Sequence, residues 1–436
     1  MVWRRTSLRP RLGTGPRAVI LVTVSSDPQG SLEVLGESPA SAGLDASSIP
    51  PALLEAQVEE EKRVTALELF FDLVFVFGIT QVTGYVSADP SWVRLAQGLA
   101  ILAVLWFAWS GYAWLGNTAD AEEEHLRLML IGAMGAMLVT SLAVPHAFGR
   151  YGLLFGVGYF AVRSFHLATY TYVARAQHDA ELGGVVTRLG TTMMPAAALL
   201  VLAGALDGPA RTACWVAALA VDYGGILVRG IDGWRIIPSH FAERHGLVII
   251  IALGESLVSL GVGADRLTLT AGVITAALLG LLVASALWWA YFDVVAIVGE
   301  RRLRLADAAK QALIARDSYT YLHLPMMAGI ILFAIGVKRT LIELHAHLQI
   351  VPATALCGGI ALYLIALSAF KRRNIGTFNT QRLIAAALLL AMIPLATAVP
   401  ALLALGIVTA VACGLIGFEV MRYAEARQRI RHPQAD

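Results

Sequence analysis

Residues 67–86 read LELFFDLVFVFGITQVTGYV, a run long and apolar enough to cross a bilayer, yet it holds two carboxylates, Glu68 and Asp72. Four residues apart on a helix, they share one face and stand one turn from each other. A carboxylate at membrane depth costs on the order of 3 kcal/mol unless it is paired, hydrated or protonated, so the pair marks a candidate site. Ile79 and Thr83 fall near the same stripe, and Phe70, Phe71, Phe75 and Phe77 fill most of the remaining surface. Two readings follow: an ion or proton path along the stripe, or buried carboxylates that hydrogen-bond a neighbouring helix and hold a bundle together.

Composition agrees with a membrane protein. Of 436 residues, 57% are hydrophobic and 15% charged, whereas a soluble domain carries about 25% charged residues. The net charge of +2 comes with no basic block away from the membrane flanks, which excludes a nucleic-acid partner. Cys214, Cys357 and Cys413 stand far apart inside apolar runs and read as packing residues. The chain has no phosphate-binding loop, nucleophile elbow or dinucleotide fingerprint. It is therefore read as a non-enzyme without cofactor or metal.

Apolar runs of about 17–25 residues give twelve expected spans: 67–86, 95–115, 127–147, 151–174, 190–206, 211–228, 246–264, 270–294, 316–336, 351–370, 383–398 and 400–421. The last two form one run divided by Pro400. Of the 33 lysines and arginines, only Arg94, Arg150, Arg211, Arg266, Lys338 and Arg339 fall on odd-numbered loops, and only Arg163 lies inside a span. The positive-inside rule then places both termini in the cytoplasm of a multi-pass protein of the bacterial inner membrane.

The amino end differs. Residues 1–17 hold five arginines, and the apolar run 18–24 is too short to span; a Ser/Gly/Pro/Ala-rich stretch and Glu59–Glu61 follow. The expected organisation is a disordered cytoplasmic tail over 1–63, a membrane domain over 64–422 and a basic cytoplasmic tail over 423–436. An over-extended start is the alternative for the first segment.

A weak internal repeat runs through the membrane domain. Trp109-x-x-Tyr112 closes the second span and Trp288-x-x-Tyr291 the eighth; His125-Leu and His323-Leu open the third and ninth; Arg188-Leu and Arg382-Leu precede the fifth and eleventh. Six spans per half is an even number, so the halves, about 64–230 and 240–422, are expected to be parallel repeats about an axis along the membrane normal.

The remaining intramembrane charges extend the candidate list. Glu255 lies mid-span between Gly254 and Ser256, small neighbours that admit a close backbone and offer a hydroxyl. Arg163, with His166 almost a turn later, needs a counter-charge from Asp72, Asp222 or Glu255. Asp293 closes the eighth span near headgroup water. The run His240-Phe-Ala-Glu243-Arg244-His245 opens the seventh span; its spacing is not that of a zinc protease, and it reads as a headgroup-level charged cluster, a gate or pH-sensitive latch.

At ELFFDLVFVFGITQ (68–81), HFAERHGLVIIIALGES (240–256) and WWAYFD (288–293) the chain resembles the bacterial low temperature requirement A family over about residues 64–420. That resemblance implies a polytopic membrane fold and no defined reaction. The first span also looks like the opening helix of a potassium-channel family whose hallmark is Phe-Ser-Asp. Here Phe70, Phe71 and Asp72 occupy the motif, so phenylalanine replaces its serine, and Phe77 stands where that family's pore isoleucine falls.

The expectation is an all-α integral membrane protein that moves a small solute or ion across the lipid bilayer with proton coupling through buried carboxylates. A cation channel and a non-transporting cold- or stress-linked scaffold or sensor are the alternatives. A homo-oligomer is compatible with every one of these.

Overall fold

The computed structural model describes residues 62–119, 123–264 and 268–425. The expected tails, apart from Lys62 and Arg63 at one end and residues 423–425 at the other, lie outside the described residues. So does Arg266.

The described chain is helical throughout. Helix α1 (Ala66–Ala88) starts at a reciprocal cap: the Thr65 hydroxyl accepts from the Glu68 backbone, and the Glu68 side chain takes the Thr65 N–H. Helix α2 (Trp92–Leu115) is capped by Ser91 and is the most aromatic, with Trp106 and Trp109 fully buried. Next come α3 (Glu124–Ala143), α4 (Gly152–Ala176), α5 (Ala180–Ala205) and α6 (Gly208–Arg229). Then follow α7 (Pro238–Ala264) and α8 (Ala271–Phe292). A short amphipathic α9 (Val295–Arg304) ends in Arg301, Arg302 and Arg304, cations that suit a helix carboxyl terminus.

Helix α10 (Ala308–Ile314) runs into a π-helical stretch, Ala315–Tyr321, and then α11 (Leu322–Ile342). The wider π turn leaves carbonyls outside the regular ladder, and α2 uses one of them: the Trp106 indole donates to the Thr320 carbonyl at 2.7 Å. Helix α12 (Ile350–Ile375) ends on Gly376 at φ +89°, a left-handed conformation that glycine adopts without strain. The last run is divided into α13 (Thr380–Ala391), α14 (Ile393–Ala398) and α15 (Ala401–Arg422). Its break falls at Pro400, whose following residues Ala401 and Leu402 donate to the carbonyls of Ala346 and Leu344.

Among the described residues ten helical segments are long and apolar enough to cross a membrane; twelve were expected. The two others, α4 with 25 residues and α7 with 27, have the length as well. The molecule is a multi-pass helical membrane protein. Helices α11 and α12 pack closely: Gly336 faces the Leu356 backbone so tightly that an added Cβ would stand 2.5 Å from the Leu356 Cα. Helices α1, α7 and α11 form a central layer, with α1 packed on α2, α3, α7 and α11.

Candidate functional site

Asp72, six residues into α1, and Arg244, six residues into α7, lie about 9 Å from their helix starts at 1.5 Å per residue. They meet at the same level: Arg244 Nη2 donates to Asp72 Oδ1 at 2.6 Å. The other guanidinium nitrogen, Nη1, faces Glu68 Oε1 at 3.5 Å and donates to the Tyr112 carbonyl at 3.1 Å. His240 Nε2 sits 3.1 Å from both Glu68 oxygens. All four side chains are at most 5% exposed.

Aromatic rings close the cluster. The Trp109 indole N–H donates to Asp72 Oδ1 at 2.7 Å, and its ring lies 5.7 Å from the Arg244 guanidinium carbon. A cation over an indole face gains further electrostatic attraction when water is excluded. Phe75, fully buried one turn beyond Asp72, stacks on Trp109 at 5.8 Å between centroids.

His245 and His323 extend the core behind Trp109. His245 Nδ1 faces the Phe241 carbonyl at 2.8 Å and His323 Nδ1 the Ser318 carbonyl at 2.9 Å. A carbonyl only accepts, so both rings carry hydrogen on Nδ1, and His323 Nε2 accepts from the Tyr291 hydroxyl at 2.8 Å. Tyr319 stacks on His323 and meets His245 edge-on.

A second buried ion pair stands apart from the first. Arg163 Nη2 donates to Asp222 Oδ1 at 3.0 Å, and the Tyr159 hydroxyl donates to Asp222 Oδ2 at 3.1 Å. Of the three counter-charges open to Arg163, the fold selects Asp222. His166 Nε2 donates to the Gly111 carbonyl at 3.0 Å, beside a cavity of about 30 Å³ that Arg163 and His166 help to line. The corresponding space beside Glu68 and Arg244 is about 20 Å³. Each admits one water and no solute.

Glu255 lies seventeen residues into α7, about 25 Å from its start. It accepts from the Thr80 hydroxyl on α1 at 2.7 Å, and Lys338 on α11 is near enough to interact with it electrostatically. It is joined neither to Arg163 nor to Asp72. Asp293 caps the end of α8 and lines a different cavity.

The run 240–245 is largely covered by neighbouring helices rather than open at its start. His240, Arg244 and His245 are buried, and Glu243 is its exposed member. The reason is that α7 begins at Pro238, eight residues before the apolar run suggests, so these residues form its first turns inside the protein. Sequence reasoning also missed Thr80 and Tyr159, neutral residues whose roles depend on which helix faces them. Among the described residues no group of three His, Cys, Asp or Glu is placed to hold a metal ion.

A family model described as bacterial low temperature requirement A protein matches residues 63–417. That span includes every residue of both ion-pair clusters. An uncharacterized protein of Rhizobium meliloti (strain 1021) is similar at 30% identity over 335 residues, covering 73% of this chain and 80% of that one. The chain belongs to the bacterial low temperature requirement A family.

Proposed function

We propose that this protein translocates a small solute or ion across the bacterial inner membrane and couples the movement to protons through Glu68, Asp72, His240 and Arg244. The observation that carries the reading is that two carboxylates converge on a single guanidinium away from solvent, and one of them also holds an imidazole. With both carboxylates ionised and Arg244 charged, the cluster is one negative charge in excess. One proton held among Glu68, Asp72 and His240 makes it neutral, and a low-dielectric interior favours that balance. Exposure to water removes the constraint, so the cluster would exchange one proton as the protein opens.

Glu255 with Thr80 provides a second polar station, about 16 Å farther along α7 than Arg244. On α1, Phe75 and Ile79 lie between the stations, fully buried. In this reading the structure is closed, and transport requires α1 to move relative to α2 and α7. That barrier, with phenylalanine at 71 and 77, gives the cation-channel alternative less support.

The finer topology belongs to the same proposal: twelve spans with α4 and α7 included, both termini cytoplasmic, and two parallel six-helix repeats. Packing supports the repeat. The neighbours α1/α2, α1/α3, α3/α4, α4/α5 and α2/α6 recur in order as α7/α8, α7/α11, α11/α12, α12/α13 and α8/α15.

Flux into proteoliposomes under an imposed pH gradient, against a panel of cations and amino acids, tests the function. Wild-type protein should show proton-linked flux, and Asp72→Asn should lose it while remaining monodisperse. A second reading, a non-transporting sensor or scaffold, is favoured by the small size of the cavities beside both ion pairs, about 30 and 20 Å³. It predicts no flux for either protein and a lowered melting temperature for Asp72→Asn.

A further inference from the structure

A cavity at one set of helix ends is remote from both ion-pair clusters. It measures about 400 Å³ and opens where α8, α12 and α15 end and α13 begins, with α9 along one side. Its walls are of two kinds. Trp289, Val298, Phe370 and Phe378 supply apolar surface; Lys371 and Arg382 supply charge.

The charges are not equivalent. Arg382 is committed to Glu419 through two bonds of 2.8 Å, and the Asn379 amide adds a third to the same carboxylate at 2.9 Å. Asp293, the other acid on the wall, is not free either. Lys371, half-buried, has no carboxylate within 4.0 Å among the described residues. Two more cations stand at the mouth: the Arg372 guanidinium lies 5.4 Å over the Phe378 ring, and that of Arg422 lies 6.0 Å over the Tyr423 ring. Both rings line the cavity, and both arginines are exposed. Arg373, by contrast, is taken by Asp317 at 2.9 Å.

A half-buried ammonium with no carboxylate at ion-pairing distance among the described residues, Glu419 acting on it only from farther off, fits an amphiphilic anion beside apolar walls at the end of a membrane bundle. A soluble anion would satisfy Lys371 but leave the Trp289–Phe378 wall unused. We propose that this cavity binds an anionic phospholipid from the adjoining leaflet, its phosphate on Lys371 and the start of one acyl chain along Trp289, Val298 and Phe378. Basic pockets between membrane helices are suited to such headgroups because the leaflet's negative potential concentrates them there. The inference requires only that these helix ends reach one membrane face, and it is independent of the transport reading.

The test uses full-length protein in nanodiscs doped with brominated-acyl phosphatidylglycerol or brominated-acyl phosphatidylcholine at equal bromine content. Bromine quenches tryptophan on contact, and Trp289→Phe identifies the part of the signal due to Trp289. Phosphatidylglycerol should quench that part more than phosphatidylcholine does. The excess should be lost in Lys371→Gln, kept in Lys371→Arg, and unaffected by inorganic phosphate. Equal quenching by the two lipids in wild-type protein overturns the proposal, whether or not Lys371→Gln folds. Suppression of the excess by inorganic phosphate overturns it in favour of a soluble-anion site. An excess that survives in a folded Lys371→Gln protein removes Lys371 from the site and overturns it as stated.

Discussion

Arg244 on α7 and Asp72 on α1 are 172 residues apart in sequence and 2.6 Å apart in the fold, both side chains at most 2% exposed. A single guanidinium thereby ties α1 to α7. Glu68, His240, Trp109 and the Tyr112 carbonyl complete its surroundings.

Arg244→Gln leaves two buried carboxylates facing a neutral amide. Removing one partner of a buried ion pair costs about 3–5 kcal/mol, so the melting temperature in detergent should fall sharply. Arg244→Lys should fall between, because an ammonium is compact and does not reach Asp72, Glu68 and the Tyr112 carbonyl as a planar fork does. A melting temperature unchanged in both variants would show that the cluster contributes nothing to stability.

The Arg163–Asp222 pair lets structure and function be separated. Asp222→Leu alone should destabilise by about 3–5 kcal/mol, since it strands Arg163. Joint replacement, Arg163→Met with Asp222→Leu, should recover most of that loss, because an apolar pair carries no desolvation cost. Transport that survives in the double variant would assign the pair to architecture; loss of transport in a stable double variant would assign it to mechanism.

Helix packing is tested with two glycines. Gly336→Ala places a Cβ 2.5 Å from the Leu356 Cα, so α11 and α12 must separate, at a cost of about 1–3 kcal/mol. Gly406 on α15 meets nothing within 4 Å. Gly406→Ala should be neutral or stabilising by up to about 1 kcal/mol, through reduced backbone entropy. Thermal melting of the two variants side by side reads the contrast.

Topology is open to reporter fusions. Fusions after Asn117, Gln177, Arg304 and Asn374 should all report the cytoplasm, and one at Asp207 the opposite side. An external signal at Arg304 would break the twelve-span reading and leave the ten apolar segments to be re-ordered.

Much of the site was legible in residues 67–86. The i, i+4 spacing of Glu68 and Asp72 requires a shared face in any helix, and both side chains do converge on Arg244. The need of Arg163 for a counter-charge followed from its depth and its permanent charge. The partners of Arg244 were not readable, because an apolar window starts a span where charges stop, and it is blind to charges neutralised by another helix. Thr80 gave no signal, since a threonine in an apolar run is unremarkable until Glu255 arrives beside it.

Membrane class, most helix positions and the set of charges that need an account were all readable from the amino-acid chain. Those properties are local: apolar length, helical period and the cost of a lone charge are all properties of one segment. Only the tertiary structure decided that Asp222 serves Arg163, that Arg244 bridges Glu68 and Asp72, and that Glu255 turns to Thr80. Each choice depends on how far one helix is rotated and slid against another. That is fixed by side-chain packing across tens of residues, through close approaches such as Gly336 on Leu356, and no single segment contains it.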